Sequence, residues 1–339
     1  NNQPLYVVDG IIIQNDMGKA DGRTMGAQGA TDIDYGNIAS NINADDIESI
    51  EILKGGNASA LYGSDAANGV ILITTKKAKK GDDLGITYNL NYMFNTITEY
   101  PEFQNIYGGG NSHRLGETNK YRAMMVPNMA LLSPYNANSW GLPMLGFPVV
   151  GRNGEVKTYS PNPGNVNDYF STSRQIINSL SVSKSNDLGS FRFSYANTNS
   201  NDVLKGANER NRHNFSVRSD YNLNKSINVE ANIRFSIDEV KNRPYSGWSD
   251  RNPMMAYLFF PRDLSVQELI PWKDANGNAI KLSSENVTEY YNPYWALNEC
   301  WNNDQKNWFF ADFTSKIELT QVSDFNFVND QYFTYYIWF

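Results

Sequence analysis

The sequence predicts an all-β chain: part of a transmembrane β-barrel, preceded by a small α+β unit. Three observations carry that reading. The 339 residues include 21 Tyr, 17 Phe and 45 Asn, which combines strand-favouring aromatics with the amide that favours turns and polar faces. Several segments of ten or more residues alternate apolar and polar. The stretches between them are long and rich in Gly, Pro and Asn. Strands in globular sheets usually run about five or six residues. Membrane strands need about 9–11, with one apolar and one polar face.

Composition removes the other classes. With 40% hydrophobic and 19% charged residues the chain is neither disordered nor collagen-like. Its longest apolar stretches, such as Gly69–Ile73, fall far below the ~18 residues of a spanning helix. A net charge of −7 argues against nucleic acid as a partner, because phosphate binding needs clustered Lys and Arg. Cys300 stands alone, and His113 and His213 lie far apart, so neither a disulfide framework, a metal site nor a His-based triad is expected. No cofactor is implied. The chain opens Asn1-Asn2-Gln3, without the charged and apolar regions of a targeting peptide.

The first element is Pro4–Ile13, two short strand pieces around an Asp9-Gly10 turn. Ile47–Leu53 alternates as a strand and Gly55-Gly56 breaks it. Ala58–Tyr62 makes a short helix that Gly63 can cap in the left-handed region. Asn68-Gly69 turns into Val70–Thr75, a buried strand that ends in Lys76, Lys77, Lys79 and Lys80. Within this unit Asp45, Asp46, Glu48 and Glu51 read as a solvated acidic face, not as catalytic carboxylates.

Long alternation starts after Gly85. In 86–95, Ile86, Tyr88, Leu90, Tyr92 and Phe94 share one face. A hairpin spans about 176–184 and 189–198, with Phe191, Phe193 and Tyr195 together. The next pair turns at 222–226. Phe215, Val217, Tyr221 and Leu223 fall on one side with Ile227, Val229, Ala231, Ile233, Phe235 and Ile237. Arg218, Asp220, Glu230, Asn232, Arg234 and Asp238 fall on the other. A last strand alternates Phe309, Ala311 and Phe313 with Asp312 and Thr314. Long connections at about 99–174 and 240–305, set against short turns at 185–187 and 222–226, match the two-sided loop asymmetry of outer-membrane barrels. On alternation alone, a soluble sandwich or propeller competes with the barrel.

Four motifs bear a resemblance. They are Pro4-Leu-Tyr-Val-Val-Asp-Gly-Ile11, Ile42-Asn-Ala-Asp-Asp-Ile-Glu-Ser-Ile-Glu-Ile-Leu-Lys54, Ala58-Ser-Ala-Leu-Tyr-Gly63 and Ala66-Ala-Asn-Gly-Val-Ile-Leu-Ile-Thr-Thr-Lys76. In order and spacing this set resembles the plug domain of TonB-dependent outer-membrane transporters of the SusC/RagA family of Bacteroidetes. Tyr159–Phe170 is similar to a segment that family carries between its first barrel strands. The sequence departs from the family at Gly55-Gly56-Asn57, where Asp-Ala is common, and at Asp65, where a basic residue is common. The signature residues carried over are Asp9, Gly10, Glu48, Lys54, Tyr62, Gly63, Asn68 and Gly69.

The resemblance implies a plug at 1–80 with its N-terminal part missing, and the first part of a 22-strand barrel at 81–339. The six or seven strands legible here are too few to close such a barrel. The aromatic tail 325–339 receives no assignment. By the same resemblance the protein is no enzyme. It is an outer-membrane importer of oligosaccharides or peptides, working with a SusD-like surface lipoprotein and with TonB, and a dimer of transporter–lipoprotein pairs is one assembly it implies. Tyr107, Trp140, Trp248 and Trp295 are the nominated substrate contacts, because exposed aromatics beside amides suit sugar stacking and peptide backbones. The alternatives are a siderophore- or cobalamin-type receptor without a lipoprotein, and a surface carbohydrate-binding β protein without transport.

Overall fold

The computed structural model describes residues 4–13, 33–36, 41–78, 84–109, 124–126, 129–131, 139–150, 156–165, 167–247, 251–258, 260–280 and 292–317. The small unit is a four-stranded mixed sheet of β1 (Leu5–Val8), β2 (Ile11–Ile13), β3 (Ile47–Leu53) and β4 (Val70–Thr75), in the order β2-β1-β4-β3. β1 runs parallel to β4, and the two outer strands pair antiparallel. Helix α1 (Gly56–Tyr62) covers one face, where Ala58, Ala66, Val7 and Val70 are fully buried with Tyr62 against them.

After β5 (Gly85–Asn95) a long connection carries a small sheet of β6 (Met124–Val126), β7 (Met129–Leu131), β8 (Pro148–Val150) and β9 (Val156–Thr158). The wall then continues through β10 (Ser173–Ser185), β11 (Gly189–Ser200), β12 (Glu209–Asn222) and β13 (Ile227–Lys241). A second long connection holds α2 (Pro253–Leu258) and α3 (Pro293–Glu299), and β14 (Asp304–Ile317) completes the wall. These six long strands form one antiparallel meander, β5-β10-β11-β12-β13-β14. The short turns after β10 and β12 lie at one end of the meander. The connections 96–172, 201–208 and 242–303 lie at the other.

Register fixes the two faces of the wall. Phe215 stands opposite Phe235 and Val217 opposite Ile233, while Phe235 meets Phe309 across the next pair. On the other face Asn232, Arg234, Ser236 and Asp238 are buried. The apolar row of β13 from Ile227 to Ile237 spans ten steps. At about 3.3 Å per residue and a ~45° tilt that is about 23 Å of height, close to the ~25 Å apolar band of outer-membrane barrels. Phe191, Phe215, Tyr221 and Phe313 on this face are exposed, as a lipid-facing surface requires. Among the described residues no helix is long and apolar enough to cross a membrane, which leaves crossing by strands untouched.

The polar face carries an apolar patch. Trp308 and Phe310 point inward from β14 and pack against Val8, Ile11, Ile13 and Ile73 of the small sheet. At the long-connection end, Tyr169, Leu204, Phe260, Leu264, Leu269 and Leu297 form a separate core between connections. Burial among themselves lets loops of this length hold a defined shape.

Candidate functional site

The small sheet is seated on the wall through buried charge. Asp9 and Gly10 occupy the β1–β2 turn at φ +51° and +87°, the two left-handed positions of a tight hairpin turn. This aims the Asp9 carboxylate at both β4 and the wall. It accepts from the Thr75 backbone N–H and hydroxyl, both at 2.8 Å, and from Arg218 Nη1 and Asn232 Nδ2, both at 3.1 Å. Arg234 also donates to it. Burial would raise the carboxyl's pKa, but the Arg234 and Arg218 guanidiniums and the Thr75 donors outweigh that and hold it below the ordinary aspartate value. Arg218 also bonds Glu230 at 2.9 Å through Nε, and Glu230 pairs with Lys77 at 2.9 Å. The Arg234 guanidinium lies 5.5 Å from the Phe310 ring centroid.

A second anchor corrects the reading of the acidic group as a solvated face. Asp46 is 8% exposed, and its carboxylate takes Arg192 Nη2 at 2.9 Å and Ser194 Oγ at 2.6 Å from β11. A 3₁₀ turn at Ala44–Asp46, capped by the Asn43 side chain, delivers it there. Glu48 and Glu51 are exposed as expected. Lys77 reaches the wall, Lys76 bonds the Asp45 carbonyl at 2.7 Å, and Lys79 and Lys80 lie outside the described residues.

The other signature residues shape the small unit itself. Gly63 ends α1 at φ +74°, ψ −158°. That differs from the expected left-handed cap, because a sharper exit toward the next 3₁₀ turn demands a region open essentially to glycine alone. Gly69 has φ +96°, and a Cβ there would meet the Leu53 carbonyl oxygen at 3.0 Å. Asn68 precedes it in the turn, Tyr62 packs on the inner core, and Lys54 is exposed.

Above the seat, at the long-connection end, lies a cleft of about 670 Å³ whose lining includes Tyr100, Phe170, Asp202, Arg243, Tyr245 and Tyr257. A smaller cavity of about 340 Å³ shares Asp34, Asp202, Val203, Asn208 and Arg243 with it. Arg243 ties the small unit into this region: it pairs with Asp304 at 2.6 Å, bonds the Asp34 carbonyl at 2.8 Å, and lies 5.6 Å from the Tyr35 ring centroid. The outer connections are braced at Arg262, which donates to Asn165 Oδ1 at 2.7 Å and Asn105 Oδ1 at 3.0 Å over the Phe103 ring. Beside it Asp263 accepts from the Gly109 N–H at 2.6 Å. Burial raises the pKa of the Asp263 carboxyl.

Of the nominated aromatics, the structure brings Tyr107 and Trp140 together, with ring centroids 6.4 Å apart and Trp140 exposed. Trp295 sits on α3 in the other long connection, near the Lys273 ammonium. Trp248 lies outside the described residues, as do His113 and the tail 325–339. Tyr107, Trp140 and Trp295 do not line the larger cleft. Its aromatics are Tyr100, Phe170, Tyr245 and Tyr257, of which only Phe170 carries a sequence signal, closing the family-like segment 159–170.

Comparison with known proteins finds TonB-dependent receptors. Residues 1–70 match the model of the TonB-dependent Receptor Plug Domain. SusC, a TonB-dependent receptor of Bacteroides thetaiotaomicron, is 40% identical over 96 residues, 28% of this chain and 8% of SusC. Residues of TonB-dependent receptor P26 of Formosa agariphila are 29% identical over 149 positions, 43% of this chain and 13% of P26. In fold, the chain is similar to the RagAB peptide importer in its closed-closed state, with a TM-score of 0.58 over 95% of this chain at 18% identity.

The chain is similar to TonB-dependent receptors of the SusC type, and its first 70 residues match their plug domain.

It spans 13% or less of the curated relatives just described and 33% of the RagAB chain. In these terms the small sheet belongs to the plug domain and the six-stranded meander is barrel wall. Asp9 and Asp46 are therefore two buried points at which the plug is held to the wall.

Proposed function

We propose that the protein containing this chain is an energy-coupled importer of the outer membrane, with a plug at 1–80 and the first barrel strands in 81–339. Solute enters from the long-connection side, is held in the cleft above the plug, and passes when TonB draws on the plug. A SusD-like surface lipoprotein covers the entrance, and the cargo is an oligosaccharide or a peptide. The observation that supports this most is the seat itself. Apart from the apolar patch at Trp308 and Phe310, it is made of ion pairs and hydrogen bonds, contacts that water can replace when the plug moves and that re-form when it returns. The cleft adds aromatic faces beside Asp202, Asn208 and Arg243, a combination that suits hydroxyls and peptide groups alike.

The test tethers the plug. Cysteines replace Asp46 and Ser194 in the full-length protein with Cys300→Ser, joined by a short thiol-cleavable cross-linker, in a strain otherwise lacking the gene. The reading predicts that uptake of labelled oligosaccharide or peptide stops on tethering, returns on reduction, and collapses with a protonophore. Uptake that ignores both the tether and the protonophore would overturn it.

A further inference from the structure

We propose that the outer face of the wall, at its long-connection end, carries a groove for the sugar headgroup of a membrane glycolipid. The rows of the sheet lead to it. Tyr88, Tyr195, Phe215, Phe235 and Phe309 stand in one outward row by register, with centroids 4.9 Å apart for Tyr195–Phe215 and 6.3 Å for Phe215–Phe235. An aromatic row at the edge of the apolar band marks the boundary of the hydrocarbon. Two residues further along the strands the outward row turns mostly polar, with Asn178, Asn197, His213 and Asn307 beside Leu90 and Ile237.

A groove of about 570 Å³ follows, lined by Arg174, Asn199, Asn211, Glu239 and Lys241 among others, with exposed Phe94 opposite Arg174 on the neighbouring strand. Four to six residues beyond the aromatic row is about 9–14 Å along the bilayer normal for a strand tilted ~45°, the depth of lipid headgroups rather than chains. The amides are already aligned by one another: Asn199 donates to Asn197 at 2.6 Å, Asn197 to Asn211 at 2.9 Å, and Tyr195 and His213 meet at 2.9 Å. Among the described residues no hydrogen bond reaches the Asn199 side-chain oxygen, and the Arg174, Glu239 and Lys241 side chains make no ion pair.

Donors and acceptors alternate across the groove, both charge signs are present, and an aromatic flanks it. That mixture fits sugar hydroxyls better than a bare phosphate, which would meet Glu239 and Glu209. Continuity with the lipid-facing band makes the occupant a lipid rather than a soluble glycan. The inference rests on the outer-membrane reading above.

The experiment uses the full-length transporter in phosphatidylethanolamine nanodiscs, titrated with rough-type lipopolysaccharide and, separately, with phosphatidylglycerol. Folding of each variant is checked by the heat-dependent gel mobility of a closed barrel. Wild type binds the lipopolysaccharide saturably and in preference to phosphatidylglycerol. Asn199→Leu and Lys241→Leu each weaken that binding about five-fold, the worth of one hydrogen bond, and leave mobility unchanged. Equal binding by folded variants, or no preference over phosphatidylglycerol, would overturn the groove and leave the importer standing. Wild-type protein that shows no heat-dependent mobility would remove the barrel and the groove together.

Discussion

Replacing Asp9 by Asn tests how firmly charge holds the plug. Asn tolerates the left-handed backbone of the turn, so the +51° φ of Asp9 is kept and only the electrostatics change. The oxygen facing the Thr75 N–H and Arg218 remains. The one facing the Thr75 hydroxyl, Asn232 and Arg234 becomes an amide donor pointed at donors. Removing one partner of a buried ion pair costs about 3–5 kcal/mol, which is about 10²- to nearly 10⁴-fold in the equilibrium between seated and released plug. The assay is hydrogen exchange on the full-length protein in detergent. Amides of 5–13 and 70–78 should lose protection by roughly that factor, while β13 stays protected. Exchange within about three-fold of wild type would refute the seat as a charge-dependent latch.

The acidity of Asp9 adds a pH window to the same assay. Its pKa is depressed in the folded protein, so its contribution is complete above the unfolded value near 3.9 and fades only as pH falls through the lower folded value. Plug protection should therefore be flat from neutral pH down to about 4 and decline below it.

Three further outcomes follow from other parts of the molecule. Gly63→Ala forces a side chain into a glycine-only region and should cost the plug about 1–3 kcal/mol, read as a lowered midpoint for local exchange in 56–66. Ile233→Arg, on the lipid face, should cost about 2–4 kcal/mol if it lies near the bilayer middle, seen as loss of heat-dependent mobility in the outer-membrane fraction. Asp263 is the reverse of Asp9. Its pKa is raised, so the folded connection favours the protonated acid, and that contribution is lost as pH rises through the raised folded value. Asp263→Asn keeps an acceptor for the Gly109 N–H and should slow exchange around 104–109 at neutral pH but not in acid.

Much of this fold was legible because its rules are local. A two-residue period along 227–237 fixes which side chains share a face, and Asp9-Gly10 and Asn68-Gly69 are turns whatever surrounds them. Helix α1 and β4 likewise follow from small residues, a breaker glycine and a β-branched run. What was hidden depends on distant pairing. Asp46 looked like part of a solvated row, because nothing nearby in sequence announces Arg192 and Ser194, almost 150 positions later. Trp308 and Phe310 break the polar face of β14, and only the small sheet's apolar edge explains them. The aromatic cleft is assembled from three connections, so no single segment displays it.

The most direct test of the account is a cysteine scan along β13, residues 228–237, in the full-length protein with Cys300→Ser in native outer membranes. A lipid-soluble thiol reagent should label positions 229, 231, 233, 235 and 237 and spare 228, 230, 232, 234 and 236. With Asp9→Asn, the even positions nearest the plug should open to a water-soluble reagent. Labelling without a two-residue period, or with the polar face toward lipid, would contradict a barrel wall that holds a plug by charge.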